Sequence, residues 1–139
     1  MWYNRLMKKV IHRVSFVFIK FTDRFIFQLR DNKPGISSPG MIAAFGGSLE
    51  DDETPTEGAI RELHEETSLR IEPENLKFLG TIDLKHPSLR YAFLIEVHSE
   101  DFLVFEGQGK LSFSYSELKN SNLENFTPCT KKALLDYLL

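Results

Sequence analysis

The stretch RELHEETSL, residues 61–69, sets Glu62, Glu65 and Glu66 within about one helical turn of one another and supplies a single basic partner, Arg61. At about 100° per residue, with Glu62 at the origin, Glu65 falls near 300° and Glu66 near 40°, whereas Ala59, Leu63 and Ile60 fall near 60°, 100° and 160°. Carboxylates and core therefore occupy adjacent faces of one helix. Like charges at i,i+3 and i,i+4 destabilise a helix by roughly 0.2–0.5 kcal/mol per pair, and a plain surface helix usually intersperses lysine. The bland reading is a solvated face; the sharper one is a site in which a cation offsets the crowding.

The upstream sequence gives that helix a definite start. Thr54-Pro55-Thr56-Glu57 supplies an N-cap, a proline at the first helical position and a capping-box glutamate, so a helix is expected from Pro55. Eight of the chain's 20 acidic residues lie between Glu50 and Glu66, where Arg61 is the only Lys or Arg, which makes the segment a local anion. Magnesium suits such a place because it takes hard oxygen ligands and binds through a few carboxylates plus substrate phosphates. SLEDDETP lacks the alternating acidic positions and central glycine of an EF-hand, and His64 is the only histidine of the helix, so calcium and zinc are poorly supported.

With 139 residues, 42% of them hydrophobic, the chain is long enough and apolar enough for one domain over 1–139 with a core of its own. No stripe of basic and aromatic residues runs along it, which argues against duplex nucleic acid as a partner and leaves a small-molecule nucleotide open. Cys129 is alone, so no internal disulfide forms and a cytoplasmic location is expected. MWYNRLMKKVIHR is broken by charge and the apolar run at 16–19 is too short for a membrane span. The sequence leaves monomer and homodimer open.

Strand patterns surround the helix. VIHRVSFVFIKF, residues 10–21, turns at Thr22-Asp23-Arg24 into FIFQLR and reads as a hairpin. DNKPGISSPG, residues 31–40, reads as an irregular loop before the short apolar MIAAF. LKFLGTIDL and LRYAFLIEV read as strands around a turn at His86-Pro87-Ser88, FLVFEG as a short strand, KLSFSY as another, and TPCTKKALLDYLL as a closing amphipathic helix. This order argues for α+β or α/β/α layering and against a regular parallel array.

From Gly47 to Leu69 the chain resembles the Nudix box, G-x(5)-E-x(7)-R-E-U-x-E-E-x-G-U with U aliphatic. Gly47, Glu53, Arg61, Glu62, Leu63, Glu65, Glu66 and Leu69 stand at the required spacings, and the exception is Ser68, where the pattern has glycine. Phe45 stands where many members have proline before Gly-Gly, and Gly58 is an unusual residue inside a helix. The resemblance implies a Nudix fold, a mixed sheet sandwiched by helices. It also implies a Mg²⁺-dependent hydrolase, with Mn²⁺ as the alternative metal, that cleaves the diphosphate of a nucleoside diphosphate linked to a further moiety. The competing reading is a non-catalytic nucleotide-binding or regulatory module on the same fold.

The resemblance further assigns Glu62, Glu65 and Glu66 as metal carboxylates, a carbonyl of Gly46 or Gly47 as another ligand, and Glu53 with Arg61 as the pair that fixes the loop against the helix. EGQ at 106–108 is similar to an acidic segment of oxidised-nucleotide-cleaving members, which makes Glu106 a fourth carboxylate candidate. Glu62 and Glu106 are the candidate bases. For substrate, Arg30 or Lys33 is a candidate phosphate contact, and Phe25, Phe27, Tyr91 or Phe93 a candidate base-stacking ring.

Overall fold

Alternation in HRVSFVFIKF builds the central strand. In the computed structural model, which describes residues 12–85 and 87–139, this run is β1 (His12–Phe21). Val17 and Ile19 point to one side and Phe18 to the other, none more than 1% exposed. The chain then turns into β2 (Arg24–Leu29), antiparallel to β1 from Phe21↔Arg24 to Ile19↔Ile26. Val10 and Ile11 of the expected strand, and His86 of the expected turn, lie outside the described residues.

Away from the turn the two strands of this hairpin separate, and the separation makes the site. Toward His12, β1 pairs with β4 (Phe45–Ser48); toward Leu29, β2 pairs with β3 (Ile42–Ala43). MIAAF is thus two short strands bent at Ala44, and the bend fills the fork. On the other edge of β1 lies β6 (Ser88–Glu96), parallel from His12↔Ser88 to Lys20↔Glu96, followed by antiparallel β5 (Lys77–Ile82). β7 (Lys110–Ser114) pairs with β2, completing a mixed sheet of seven strands among the described residues.

Helices cover both faces. Ala59 and Leu63 of α1 (Pro55–Thr67) pack on Val17, Ile19, Ile26, Phe93 and Ile95. Across the sheet, Phe18, Phe25, Phe27 and Ala92 meet Leu118 of α2 (Tyr115–Lys119), Ala133 of α3 (Pro128–Ala133), and Leu134 in the π turn that continues it. Each buried Leu or Phe contributes about 1.5–3 kcal/mol, so two apolar faces on one sheet dictate the α/β/α sandwich.

The start of α1 follows its sequence. The Thr54 hydroxyl accepts from Glu57 N at 3.1 Å, and the Glu57 carboxylate accepts from Thr54 N at 3.0 Å. Ser15 Oγ on β1 donates to the Pro55 carbonyl at 2.8 Å and ties the first turn to the sheet. Gly58 is a close approach: a Cβ there would overlap the Leu49 side chain on the loop leaving β4. At the other end Ser68 adopts the left-handed conformation, φ 65°, with its N–H donating to His64 O at 2.8 Å. The residue that departs from the Nudix pattern therefore takes up the conformation that glycine adopts freely. Ser68→Gly is expected to raise the unfolding free energy by up to about 1 kcal/mol in a urea titration; a loss of stability would show that the serine side chain contributes more than its strain costs.

Three elements differ from expectation. FLVFEG is irregular and not a strand, because β7 occupies the outer edge of β2; its backbone turns to α1 instead, Phe105 N donating to Glu66 O at 2.9 Å. α2 extends beyond the expected strand KLSFSY, although Ser114 and Glu117 form a capping box of the same kind as Thr54 and Glu57. Pro73–Asn75 forms a short 3₁₀ turn.

Candidate active site

Glu66 hangs in the fork between β1 and β2. Gly46 N donates to its Oε1 at 2.9 Å, and Gln28 Nε2 donates to its Oε2 at 3.1 Å and to Ala44 O at 3.2 Å. The residue is only 3% exposed. Burial pushes its carboxyl up, the Gly46 N–H opposes that, and the charges of Glu62 and Glu106 push it further, to about 8. Gln28 is absent from the sequence-derived site. Its signal is a polar residue within FIFQLR, two positions after Ile26 and so on the same face of β2.

Glu62 stands beside Gly47, where a Cβ would come within 2.8 Å of its carboxylate. The glycine at this box position leaves the carboxylate its room. Burial raises the Glu62 carboxyl above its ordinary value, and the nearby guanidinium of Arg61 works against that. Arg61 organises the surroundings: its Nε and Nη2 bond both oxygens of Glu53 at 2.6 and 2.8 Å, and Nη2 also donates to Ser48 O at 3.0 Å. Glu53 accepts in turn from Glu50 N at 3.0 Å. Hydrogen bonds from Arg61 hold the Glu53 carboxyl below its ordinary value, so the pair is ionised and joins the acidic loop, β4 and α1.

Arg61 Nη1 also lies 3.1 Å from Glu62 and 3.4 Å from Glu65. Among the described residues no three acidic, His or Cys side chains are already gathered at metal-holding distance. The donor set nevertheless fits a hard divalent cation. It consists of anionic oxygens, the charges of Glu65 and Glu106 bear on Glu62, and Gly47 leaves open the space that a Cβ would fill.

Beside this centre a cleft of about 480 Å³ is lined by Gln28, Arg30, Lys33, Phe105 and Glu106 among others. Arg30 and Lys33 thus share a wall with Glu106. Arg30 Nε donates to Ser37 O at 2.9 Å, folding the 31–40 loop over the cleft, and Lys33 sits 3.8 Å from Asp31. The aromatic candidates are placed elsewhere. Phe27 is 0% and Phe93 3% exposed, the first packed among Phe18, Phe113 and Phe126, the second against Phe78. Phe25 is likewise core. Rings needed to fill the two faces of the sheet present no free face to a ligand. A larger hollow of about 780 Å³ lies between the end of α1 and the ends of β5 and β6, lined by Leu69, Lys77, Val97 and others and by none of the box carboxylates.

A mixed sheet thus lies between helices, with carboxylates of α1 at the fork of its first hairpin. The NUDIX domain family model matches residues 11–132, and the chain belongs to the Nudix hydrolase family. A MutT NUDIX hydrolase from Burkholderia pseudomallei is 18% identical, with 93% of this chain and 98% of that one covered at a TM-score of 0.74. A MutT protein from Methanosarcina mazei Go1 is 18% identical, with 91% of each chain covered at 0.70. A bifunctional NMN adenylyltransferase/ADP ribose pyrophosphatase from Francisella tularensis, complexed with AMP and a Mn ion, is 20% identical at 0.68, covering 97% of this chain. The chain spans 45% of that protein and 43% of a MutT/nudix family protein from Enterococcus faecalis. By sequence, no curated protein matches. No helix among the described residues is long and apolar enough to cross a membrane.

Proposed function

We propose that the chain is a Mg²⁺-dependent pyrophosphohydrolase acting on a nucleoside diphosphate linked to a second moiety. One observation carries this reading: Gln28, which donates to Glu66, also lines the cleft that holds Arg30, Lys33 and Glu106, so carboxylates and cations meet at one place. A diphosphate matches that arrangement, with its anionic oxygens toward Arg30 and Lys33 and its reacting phosphorus toward the carboxylates. The Francisella protein, of which this chain covers 45%, was obtained with AMP and a Mn ion, which is consistent with a nucleotide substrate and a divalent ion.

Glu62, Glu65, Glu66 and Glu106, with a carbonyl of Gly46 or Gly47, would hold the cation, which when bound supplies charge neutralisation at the diphosphate oxygens and at the leaving phosphate. Glu66, hydrogen-bonded through both oxygens, is anchored and acts as a ligand. The proton of the attacking water goes to Glu62 or Glu106. Glu53 and Arg61 hold the acidic loop against α1 and keep the set in register. The products are a nucleoside monophosphate and the phosphorylated remainder.

Nucleotide sugars, ADP-ribose, dinucleoside polyphosphates and oxidised nucleoside triphosphates, assayed for product with and without Mg²⁺, test this reading. Metal-dependent turnover on at least one class is expected. Tight binding of a nucleotide that is never cleaved would replace it with the non-catalytic module.

A further inference from the structure

Side chains at 102–105 alternate: Phe102 is 8% exposed and Val104 half-buried, whereas Leu103 is 72% and Phe105 56% exposed. Single exposed apolar residues are ordinary on a protein surface, so what distinguishes Phe105 is its place at a polar cleft. Among the described residues Phe105 is the only aromatic lining that cleft, together with Glu106, Arg30 and Lys33. The other large exposed apolar residues, such as Phe78, Leu89 and Leu135, lie outside it.

The backbone that carries the ring is also held in place. Lys110 Nζ donates to Phe102 O at 2.8 Å and to Glu100 O, and lies 4.6 Å from the centre of the Phe102 ring, clamping the start of the segment. Phe105 N donates to Glu66 O at 2.9 Å. Beyond Glu106, Gln108 N donates to Leu29 O at 2.8 Å and its Nε2 to Arg30 O at 2.9 Å. The backbone of Phe105 is therefore tied to α1, and the turn that follows it is tied to Leu29 at the end of β2 and to Arg30, so the segment that carries the ring is in place before any ligand arrives.

We propose that Phe105 is the platform on which the nucleobase of the substrate stacks. This rests on the pyrophosphohydrolase reading and adds the part of the substrate that the cleft selects. The cleft lies within the size range of small-molecule sites, roughly 300–1,000 Å³, and offers cations for phosphate with one exposed aromatic face beside them. A flat aromatic base joined to a phosphorylated sugar presents complementary groups in the same order. Stacking tolerates any base, so the platform selects for a base and leaves its identity to the polar groups around it.

The test is calorimetric binding of AMP, GMP, CMP and UMP, with ribose 5-phosphate as the baseless control, to wild type, Phe105→Ala and Phe105→Trp. In wild type at least one monophosphate should bind tighter than ribose 5-phosphate by a factor of about ten or more. Phe105→Ala should abolish that advantage and leave ribose 5-phosphate unchanged. Phe105→Trp should keep it and report the base as quenched fluorescence relative to wild type, which separates loss of stacking from loss of fold. Equal advantages in wild type and Phe105→Ala, or none in wild type, would overturn the platform. Absence of hydrolysis beside intact base discrimination would overturn the enzymatic reading and leave the platform standing.

Discussion

Replacing Glu66 with glutamine is expected to lower turnover by about a hundredfold or more while the protein still folds. Glutamine keeps the size of the side chain and can still accept the Gly46 N–H, and the Gln28 amide can turn over to meet its other end. What is lost is an anionic oxygen, and a hard cation binds anionic oxygen far better than an amide. Glu65→Gln should lose as much activity for a different reason. Glu65 is 57% exposed and touches Arg61 only at 3.4 Å, so nothing in the fold depends on its charge. Each variant should be assayed at saturating Mg²⁺ beside a circular-dichroism spectrum. Unchanged turnover in either would remove that residue from the metal set.

The same two glutamates show how far the sequence could be read. The helix, its cap and the carboxylate-bearing face follow from spacing alone, because a helix places its side chains at fixed angles and the caps at Thr54 and Ser68 act locally. Strands of the hairpin were legible for the same reason. What spacing could not supply is which side chains meet across elements. Gln28 reaches Glu66 only because β1 and β2 part and the bend at Ala44 fills the gap between them, a property of pairing partners far apart in sequence. A ring at strand spacing looks alike whether it faces a core or a ligand, and at Phe27 and Phe93 the demand of two sheet faces for large side chains places the ring in the core. FLVFEG reads as a strand by its composition, whereas the segment is irregular and leaves the Phe105 ring exposed on a loop.

Raising the pH should destabilise the metal-free protein over a range in which most proteins are indifferent, and Mg²⁺ should reverse the effect. In the folded chain the Glu66 carboxyl titrates at about 8, against an ordinary value of 4.5. Between those values the folded chain keeps a proton that the unfolded chain gives up, so stability falls as pH rises, by about 1.4 kcal/mol per unit at most. The contribution is complete below 4.5, declines through the window and is gone above 8. Glu62, raised above 4.5 by burial, acts in the same direction. Glu53 acts oppositely: held below 4.5 by Arg61, it contributes stability that is lost as pH falls below that value. The contribution of these carboxyls to the stability of the metal-free protein should therefore peak near pH 4.5, and Glu66→Gln, which resembles the protonated acid, should flatten the decline above it. A divalent cation binds the ionised carboxylates of the folded chain and stabilises it by RT ln(1 + [L]/Kd), about 2.7 kcal/mol at a hundredfold excess over Kd. The melting temperature should then rise on the order of 5–10 °C with millimolar Mg²⁺ at pH 8. At pH 5.5, where a proton competes for Glu66, the rise should be much smaller. Changing Glu62 and Glu66 together to glutamine should shrink the increment at both pH values. Sodium chloride at equal ionic strength is the control, because screening relieves an ordinary solvated patch of charge as well as a metal does. A rise with sodium chloride as large as that with Mg²⁺ would mean that the glutamates of RELHEETSL form a solvated face, and the hydrolase reading would lose its physical basis.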